Sequence, residues 1–234
     1  MDNILQISNL SKYYGKFQAL KDVNLDIPKG KIVGVLGPNG SGKTTLIKTV
    51  MGLLSDYEGD VRIMGEKPGH TANPHISYLP DRSHIPTWFT VSQAMKFFSD
   101  YYNDFDKTHA RAMLESMKIP LGMKIKSLSR GMQEKVQLSL VMSRRAGLYV
   151  LDEPIGAVDP ASREFIIETI LKNFPEGGSI LLSTHIIADI ESILDIAVFL
   201  KEGEIVMHDE VDKIREEQGA SLDGLFREVF RNVY

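Results

Sequence analysis

The feature that most constrains this chain is a glycine-rich segment that begins directly after a short apolar run. The apolar run occupies residues 31–36, and the residues after it are Gly37, Pro38, Asn39, Gly40, Ser41, Gly42, Lys43 and Thr44. The glycines allow the backbone to curl until successive N–H groups point inward, which makes a concavity suited to anions. A helix is predicted over 45–51, and its N-terminus adds positive partial charge. Strand, loop and helix in this order predict a loop that wraps phosphate groups.

Three side chains at the end of this loop indicate which phosphate compound binds. Lys43 is placed to reach β- and γ-phosphates, and the Thr44 hydroxyl is placed to hold Mg²⁺. Thr44 also opens the helix, and the next residue, Thr45, is a further candidate for contact with the nucleotide. The alternative is a glycine-rich turn with a chance lysine, which the strand before the loop and the helix after it disfavour. The sequence therefore predicts a site for a nucleotide with Mg²⁺.

Composition and charge limit the remaining possibilities. The chain has 234 residues, 43% hydrophobic and 25% charged, as expected of a globular protein with one α/β core and room for a small subdomain. Its net charge is −4, and no basic run indicates a nucleic-acid partner. The lack of cysteine excludes disulfides and thiolate metal sites and suits a reducing cytosol. Neither a secretory signal nor a transmembrane helix is expected, so work at a membrane would require another anchor.

The apolar periodicity predicts an α/β fold: a P-loop NTPase core with a mixed sheet, an antiparallel β region at the N-terminus and an inserted helical subdomain. Strands are predicted over 4–10, 19–27, 31–36, 60–64, 76–79, 148–151, 179–183, 196–200 and 204–207, and helices over 91–102, 107–118, 129–143, 160–173, 186–194 and from 211 onward. We assign residues 1–234 to one domain, in which 1–81 and 146–210 form the core, 82–145 the helical subdomain and 211–234 a helical tail.

Two adjacent carboxylates follow the apolar run 148–151. At the end of a buried parallel strand beside the phosphate loop, Asp152 is placed to bind Mg²⁺, directly or through water. Glu153 is then placed to polarise the water that attacks the γ-phosphate. Acidic pairs also occur at solvated strand ends, but Pro154 and the apolar strand favour the catalytic interpretation.

His185 follows the predicted strand over 179–183. A single histidine at a strand end is most often a surface residue. Here it lies just beyond a second buried strand, on the sheet edge where ligands of open α/β folds bind. The functional interpretation is that His185 bonds to the γ-phosphate and holds the attacking water.

The order of these motifs resembles that of the ATP-binding subunits of ABC transporters, over essentially the whole chain. The resemblance implies that Tyr14, the aromatic residue before Gly15, stacks on adenine; the alternative is Tyr13. It also implies that Asp159, in the segment 156–159, acts across a dimer interface.

A signature segment is implied at Leu128-Ser-Arg-Gly-Met-Gln133, which departs from the usual Leu-Ser-Gly-Gly-Gln. Ser129 and Gly131 are retained, and these are the residues that the resemblance places on the γ-phosphate. The same letters also describe an ordinary helix N-cap, but the position shortly before the Asp-Glu pair favours a signature.

Asp81 is a second departure, because the family commonly has glutamine at this position. A carboxylate coordinates Mg²⁺ or its water as well, although it is shorter and charged. We therefore include Asp81 with Thr44 and Asp152 among the expected metal ligands.

The resemblance further implies a function. Two subunits, either two copies of this chain or this chain with a paralogous one, would clamp two ATP molecules and separate after hydrolysis. An integral-membrane permease would hold the subunits at the cytoplasmic face of the cell membrane. Trp88 and Phe89 are candidates for its groove, or else for the interior of the subdomain. The pattern is most similar to the short subunits of bacterial ABC-2-type exporters, and no nucleic-acid partner is expected.

Two other classes of function remain open at this point. One is a non-transport ABC ATPase that acts in assembly or regulation. The other is a nucleotide-binding scaffold without turnover, which the intact set of Lys43, Asp152, Glu153 and His185 disfavours.

Overall fold

The strands form two sheets of different kind in the computed structural model, which describes residues 2–156, 158–175 and 177–231. The strands are β1 Asn3–Tyr14, β2 Phe17–Pro28, β3 Ile32–Leu36, β4 Glu58–Ile63, β5 Ile76–Leu79, β6 Leu148–Asp152, β7 Ser179–Thr184, β8 Ile196–Lys201 and β9 Glu204–Glu210. The helices are α1 Lys43–Val50, α2 Val91–Tyr101, α3 Lys107–Ser116, α4 Arg130–Met142, α5 Pro160–Lys172, α6 Val211–Gln218 and α7 Leu222–Val229.

One sheet is antiparallel, with the order β2-β1-β4, and the other has the order β5-β6-β7-β3-β8-β9. In the larger sheet every neighbouring pair is parallel except β8 with β9. Strands β3, β6 and β7 are buried at every position, which explains why they read as unbroken apolar runs. The predicted mixed α/β fold with an antiparallel N-terminal region is confirmed.

The helices between β5 and β6 have a hydrophobic core of their own. It includes Val91, Met95 and Phe98 of α2 and Val136 and Leu140 of α4. A capping box of Thr90 and Gln93 satisfies the first N–H groups of α2. The three helices therefore pack as one block beside the sheets.

The helix predicted over 186–194 is wrong, because this segment holds only a 3₁₀ turn, Glu191–Ile193. Since β7 and β8 run in the same direction, the segment that connects them must run back over the length of one strand. That distance is about 20 Å for a six-residue strand, whereas a nine-residue helix spans about 14 Å. The apolar residues Ile187 and Ile190 are buried nonetheless.

The predicted helical tail is present as two helices. The break lies at Gly219, which ends α6 with φ +62°. The carboxylate of Glu191 then accepts hydrogen bonds from the N–H groups of Leu222 and Asp223 and from Arg215. Residues 232–234 of the predicted tail lie outside the described residues. Within the described ranges, no helix combines the length and the apolar character needed to cross a membrane.

Arg144 joins the helical block to the larger sheet. Its guanidinium donates to both carboxylate oxygens of Asp104 at 3.0 and 3.1 Å, and to the carbonyl oxygens of Pro74 and Ile76. It also lies 3.8 Å from the centroid of the Tyr102 ring. The side chain is 2% exposed, so its charge depends entirely on these partners.

We expect Arg144→Ala to lower the free energy of unfolding by about 3 kcal/mol, because it leaves a carboxylate and two carbonyls without their buried donor. Arg145→Ala is the matched control: its side chain is 78% exposed and pairs with Asp106. The control should cost at most about 1 kcal/mol. Urea unfolding measures both, and equal losses would contradict the assigned role of Arg144.

Candidate functional site

The carboxyl ends of three buried strands meet at one edge of the larger sheet. In the ladder Leu36 pairs with Thr184, and Asp152 pairs with Ser183. The glycine-rich loop follows β3, the Asp-Glu pair ends β6, and His185 follows β7. Residues that are more than a hundred positions apart in sequence are therefore brought together by strand register.

Two glycines of the loop occupy positions that no larger residue fits. A Cβ on Gly37 would collide with the carbonyl oxygen of Leu200 and lie 2.5 Å from the Ser41 hydroxyl. Gly42 has φ +110°, and a Cβ there would lie 2.8 Å from the carbonyl oxygen of Ala19. The loop is thus pressed against the ends of neighbouring strands, with α1 beginning immediately after it.

Lys43 is buried and fully paired inside this loop. Its Nζ donates to the carbonyl oxygens of Gly37 at 2.7 Å and Pro38 at 3.1 Å. It also lies 3.2 Å from a carboxylate oxygen of Glu153. The loop after β3 and the end of β6 are therefore linked by one cation.

Glu153 lies in the middle of a short chain of contacts. One oxygen contacts Lys43, and the other lies 2.9 Å from Nδ1 of His185. The backbone of Glu153 is left-handed, with φ +51°, a conformation uncommon outside glycine and typical of functional positions. The structure thus brings the three expected catalytic residues into direct contact.

Asp152 is buried directly behind this group. Its Oδ1 accepts hydrogen bonds from the hydroxyls of Ser183 at 2.6 Å and Thr44 at 3.3 Å. Burial raises the pKa of the Asp152 carboxyl above its ordinary value, although these two hydrogen bonds oppose the shift. Sequence analysis missed Ser183, because its only signal is a hydroxyl inside an apolar strand.

A cavity of about 470 Å³ opens over the phosphate loop. Its lining includes these expected site residues: Tyr14, Asn39, Gly40, Gly42, Lys43, Thr44, Thr45, Asp81, Glu153 and His185. Sequence analysis missed three further lining residues, Phe17, Ala19 and Gly156. Tyr13, the alternative to Tyr14, is not in the lining. Gly37, Pro38 and Ser41 form the loop behind the cavity, and the buried Ser41 hydroxyl has no hydrogen-bond partner among the described residues.

Three expected site residues lie elsewhere, at the N-termini of α4 and α5. Ser129 caps α4, accepting from the N–H of Met132 at 3.3 Å. Asp159 caps α5 and accepts from both the hydroxyl and the N–H of Ser162, which lowers its pKa. A Cβ on Gly131 would lie 3.7 Å from that same hydroxyl. Ala157, within the segment 156–159, lies outside the described residues.

A second cavity, of about 430 Å³, separates α4 from the end of β6. Asp81 and Glu153 line both cavities, whereas Arg130, Gln133 and Glu134 line only the second. Burial raises the pKa of Glu134. We call Ser129, Gly131 and Asp159 the Ser129 group. Among the residues that the structure describes, this group is not part of the lining of the phosphate-loop cavity in the single chain.

Comparison with known proteins agrees with this geometry. The pattern that defines the ABC transporter family matches residues 20–156. The lantibiotic transport ATP-binding protein SrtF of Streptococcus pyogenes is 31% identical over 219 residues, which cover 89% of this chain and 92% of that protein. The ABC transporter ATP-binding protein YxlF of Bacillus subtilis is 29% identical over 225 residues, 94% of this chain and 75% of that protein.

A solved structure of the ATP-binding subunit of an ABC transporter superposes with a TM-score of 0.86 at 28% identity, covering 96% of this chain and 98% of that one. The family match spans more than half of the chain and contains the phosphate loop, Asp81, the Ser129 segment and the Asp-Glu pair. This chain therefore belongs to the ABC transporter family, as an ATP-binding subunit of the ATP-hydrolysing kind.

Proposed function

We propose that this chain powers an exporter in the membrane by closing with a second subunit around ATP and separating after hydrolysis. The observation that carries the proposal is the contact chain Lys43–Glu153–His185 at the edge of the phosphate-loop cavity. It joins a phosphate-binding cation to a candidate base and to an orienting imidazole. Such an arrangement suits attack of water on a γ-phosphate.

The contacts of Lys43 suggest how ATP enters. Two carbonyl oxygens accept hydrogen bonds from the Nζ of Lys43, and the carboxylate of Glu153 neutralises its charge. The β- and γ-phosphates carry more negative charge, so Lys43 turns to them and releases an oxygen of Glu153. That carboxylate then orients the attacking water and accepts its proton, while His185 holds the other oxygen in place.

The oxygen atoms of Thr44 and Asp152 suit Mg²⁺, which prefers oxygen ligands and completes its shell with phosphates and water. No cluster of three or more His, Cys, Asp or Glu side chains able to hold a metal occurs within the described ranges, so we propose that the nucleotide completes the site. Asp81 lines the same cavity and is the third proposed ligand, through water. When bound, Mg²⁺ supplies positive charge that stabilises the charge developing on the transferred phosphoryl group.

Tyr14 is the proposed contact for adenine, because it is exposed and lines the cavity. Gly37, Pro38, Asn39, Gly40, Ser41, Gly42 and Thr45 are the remaining proposed contacts for the phosphates. The carbonyl-bound Lys43 and the N-terminus of α1 supply the positive charge on this side.

A second subunit is proposed because the Ser129 group lies apart from the phosphate-loop cavity. Ser129, Gly131 and Asp159 would close the ATP site of the partner, and the partner's equivalents would close this one. The charge of the triphosphate then holds the two subunits together, and its cleavage lets them part. Since this chain carries both groups, two identical copies form the simplest assembly; a paralogous subunit is the alternative.

An aromatic surface on the helical block is the proposed contact for an integral-membrane permease. It consists of Trp88, Phe89, Phe97 and Tyr101, whose rings follow one another at centroid distances of 4.4, 6.1 and 6.0 Å. Trp88, Phe97 and Tyr101 are exposed, as at a protein interface. Export is favoured by the name of the relative SrtF, a lantibiotic transport protein.

Glu153→Gln tests the catalytic part of the proposal. The amide does not accept the proton and forms no ion pair with Lys43, so we expect hydrolysis to fall roughly 10²- to 10⁴-fold. ATP binding should persist, and ATP with Mg²⁺ should convert the variant to a stable dimer. Phosphate release and multi-angle light scattering measure the two effects. Glu164→Gln, an exposed change on α5, is the control; an active or persistently monomeric Glu153→Gln would contradict the proposal.

Asp152→Asn tests the buried metal ligand. Because the pKa of Asp152 is raised, the contribution of this carboxyl to stability is full below about pH 4 and is lost as pH rises through the raised pKa. The variant should therefore melt at or above the wild type at pH 7.5, by about 2–4 °C for each kcal/mol. Its advantage should shrink toward pH 4. Binding of ATP should lose its dependence on Mg²⁺.

Asp159→Asn is the control of opposite sign for these melting curves. Hydrogen bonds from Ser162 lower the pKa of Asp159, so its stabilising effect is present above the ordinary pKa and lost as pH falls. This variant should melt slightly below the wild type at pH 7.5. If Asp152→Asn instead melted well below the wild type without Mg²⁺, the raised pKa of Asp152 would be wrong.

Phe97→Ala combined with Tyr101→Ala tests the permease surface. In cells of the source organism, the share of the chain that sediments with membranes should fall several-fold, while ATP hydrolysis by the purified variant stays unchanged. Leu171→Ala, an exposed change on α5, should leave both unaffected. Crosslinking of the wild type should capture an integral-membrane protein. A wild type that never sediments with membranes would favour a non-transport ATPase.

A further inference from the structure

We infer that Phe17 is a second aromatic contact for the nucleotide base, opposite Tyr14 on the same hairpin. This inference rests on the proposed nucleotide site and adds a residue that neither the sequence motifs nor the comparisons assign. Phe17 lines the phosphate-loop cavity together with Tyr14 and Ala19. The polar groups of the lining, among them Lys43 and Thr44, belong to the phosphate loop and its surroundings.

The hairpin fixes where the two rings stand. Tyr14 and Phe17 are register partners that close the turn between β1 and β2, in which Gly15 has φ +59°. Directly paired residues of an antiparallel ladder point to the same face, with Cβ atoms about 5 Å apart. Tyr13 pairs with Gln18 instead, so its side chain leaves from the other face.

Exposure shows that the Phe17 ring is not a core residue. It is 64% exposed, and Tyr14 is 48% exposed. Nζ of Lys12 lies over the Tyr14 ring, 5.3 Å from its centroid, so one face of that ring is already taken. A flat aromatic base has one free Tyr14 face and the adjoining Phe17 ring to contact. Single exposed apolar residues are common, but Phe17 borders a cavity whose opposite side is lined by the phosphate loop.

The cavity itself has room for such a ligand. Its volume of about 470 Å³ lies within the range of small-molecule sites. Its end at the hairpin is lined by Tyr14, Phe17 and Ala19, which offer ring and methyl surface. The base is therefore held by stacking and apolar contact, and the removal of one ring should weaken every base-containing ligand and spare a bare phosphate chain.

Calorimetric titration of Phe17→Ala with ATP in EDTA, where hydrolysis is prevented, tests the inference. The dissociation constant for ATP should rise roughly tenfold, within a range of about 5- to 150-fold for the loss of one stacked ring. The affinity for inorganic tripolyphosphate should not change. Phe17→Tyr keeps a ring and should restore ATP binding to within about twofold. Leu53→Ala, which removes another exposed apolar side chain, should leave both affinities unchanged.

Each other outcome has a defined consequence. If Phe17→Ala binds ATP within twofold of the wild type, Phe17 does not contact the base and the inference is overturned. An equal loss of tripolyphosphate affinity would place the effect on the phosphate loop and overturn it as well. If the wild type binds neither ATP nor tripolyphosphate, the proposed function fails and this inference fails with it. If Tyr14→Ala weakens ATP binding and Phe17→Ala does not, the inference about Phe17 is overturned while the proposed function stands.

Discussion

A buried lysine must be neutralised wherever it sits, and in this chain that requirement organises the whole site. Lys43 donates hydrogen bonds to the carbonyl oxygens of Gly37 and Pro38 and forms an ion pair with the carboxylate of Glu153. The carbonyls curl the loop inward, and the carboxylate ties the loop to the end of β6. In the proposed function a triphosphate competes for the same cation. Binding of the triphosphate and release of Glu153 are then one exchange of partners, because Lys43 cannot pair fully with both Glu153 and a γ-phosphate.

That exchange depends on strands that cannot slip. β3, β6 and β7 are buried on both faces, and a shift of one residue would turn their side chains to the wrong side. Register therefore holds Asp152 beside Ser183, which fixes the carboxylate that Thr44 also contacts. The raised pKa of Asp152 is the electrostatic cost of this placement, and a bound cation would offset it.

The sequence predicted those parts of the fold and site whose signals are local. The phosphate loop, the apolar strands and the Asp-Glu pair are each readable within a few residues. Ser183 and Phe17 were missed because each is an isolated residue whose meaning comes from a partner on another strand. The predicted helix over 186–194 failed for a related reason: its apolar spacing is helical, but the distance between the ends of β7 and β8 is not set locally. Gly219 gave a signal for the break in the tail that the continuous amphipathic pattern obscured.

The helical block connects the proposed permease surface to the nucleotide cavity through continuous packing. Phe98 of α2 packs in the same core as Val136 and Leu140 of α4. From α4, Gln137 donates to the carbonyl oxygen of Pro80 at 3.4 Å, next to Asp81, which lines both cavities. Arg144, two residues beyond the end of α4, anchors the block to the sheet.

Contacts made on the aromatic surface therefore reach the Asp81 segment through α4, at Gln137, and Arg144 ties the same block to the sheet. Because a packed core has low compressibility, a displacement of the helical block would be transmitted along α4. Asp81 is exposed, so burial of its own side chain does not fix its position. Aspartate in place of the longer glutamine also shortens the reach from this segment to Thr44. In the proposed function, a displacement of α4 would therefore reach Asp81, a proposed ligand of the cation, through its neighbour Pro80.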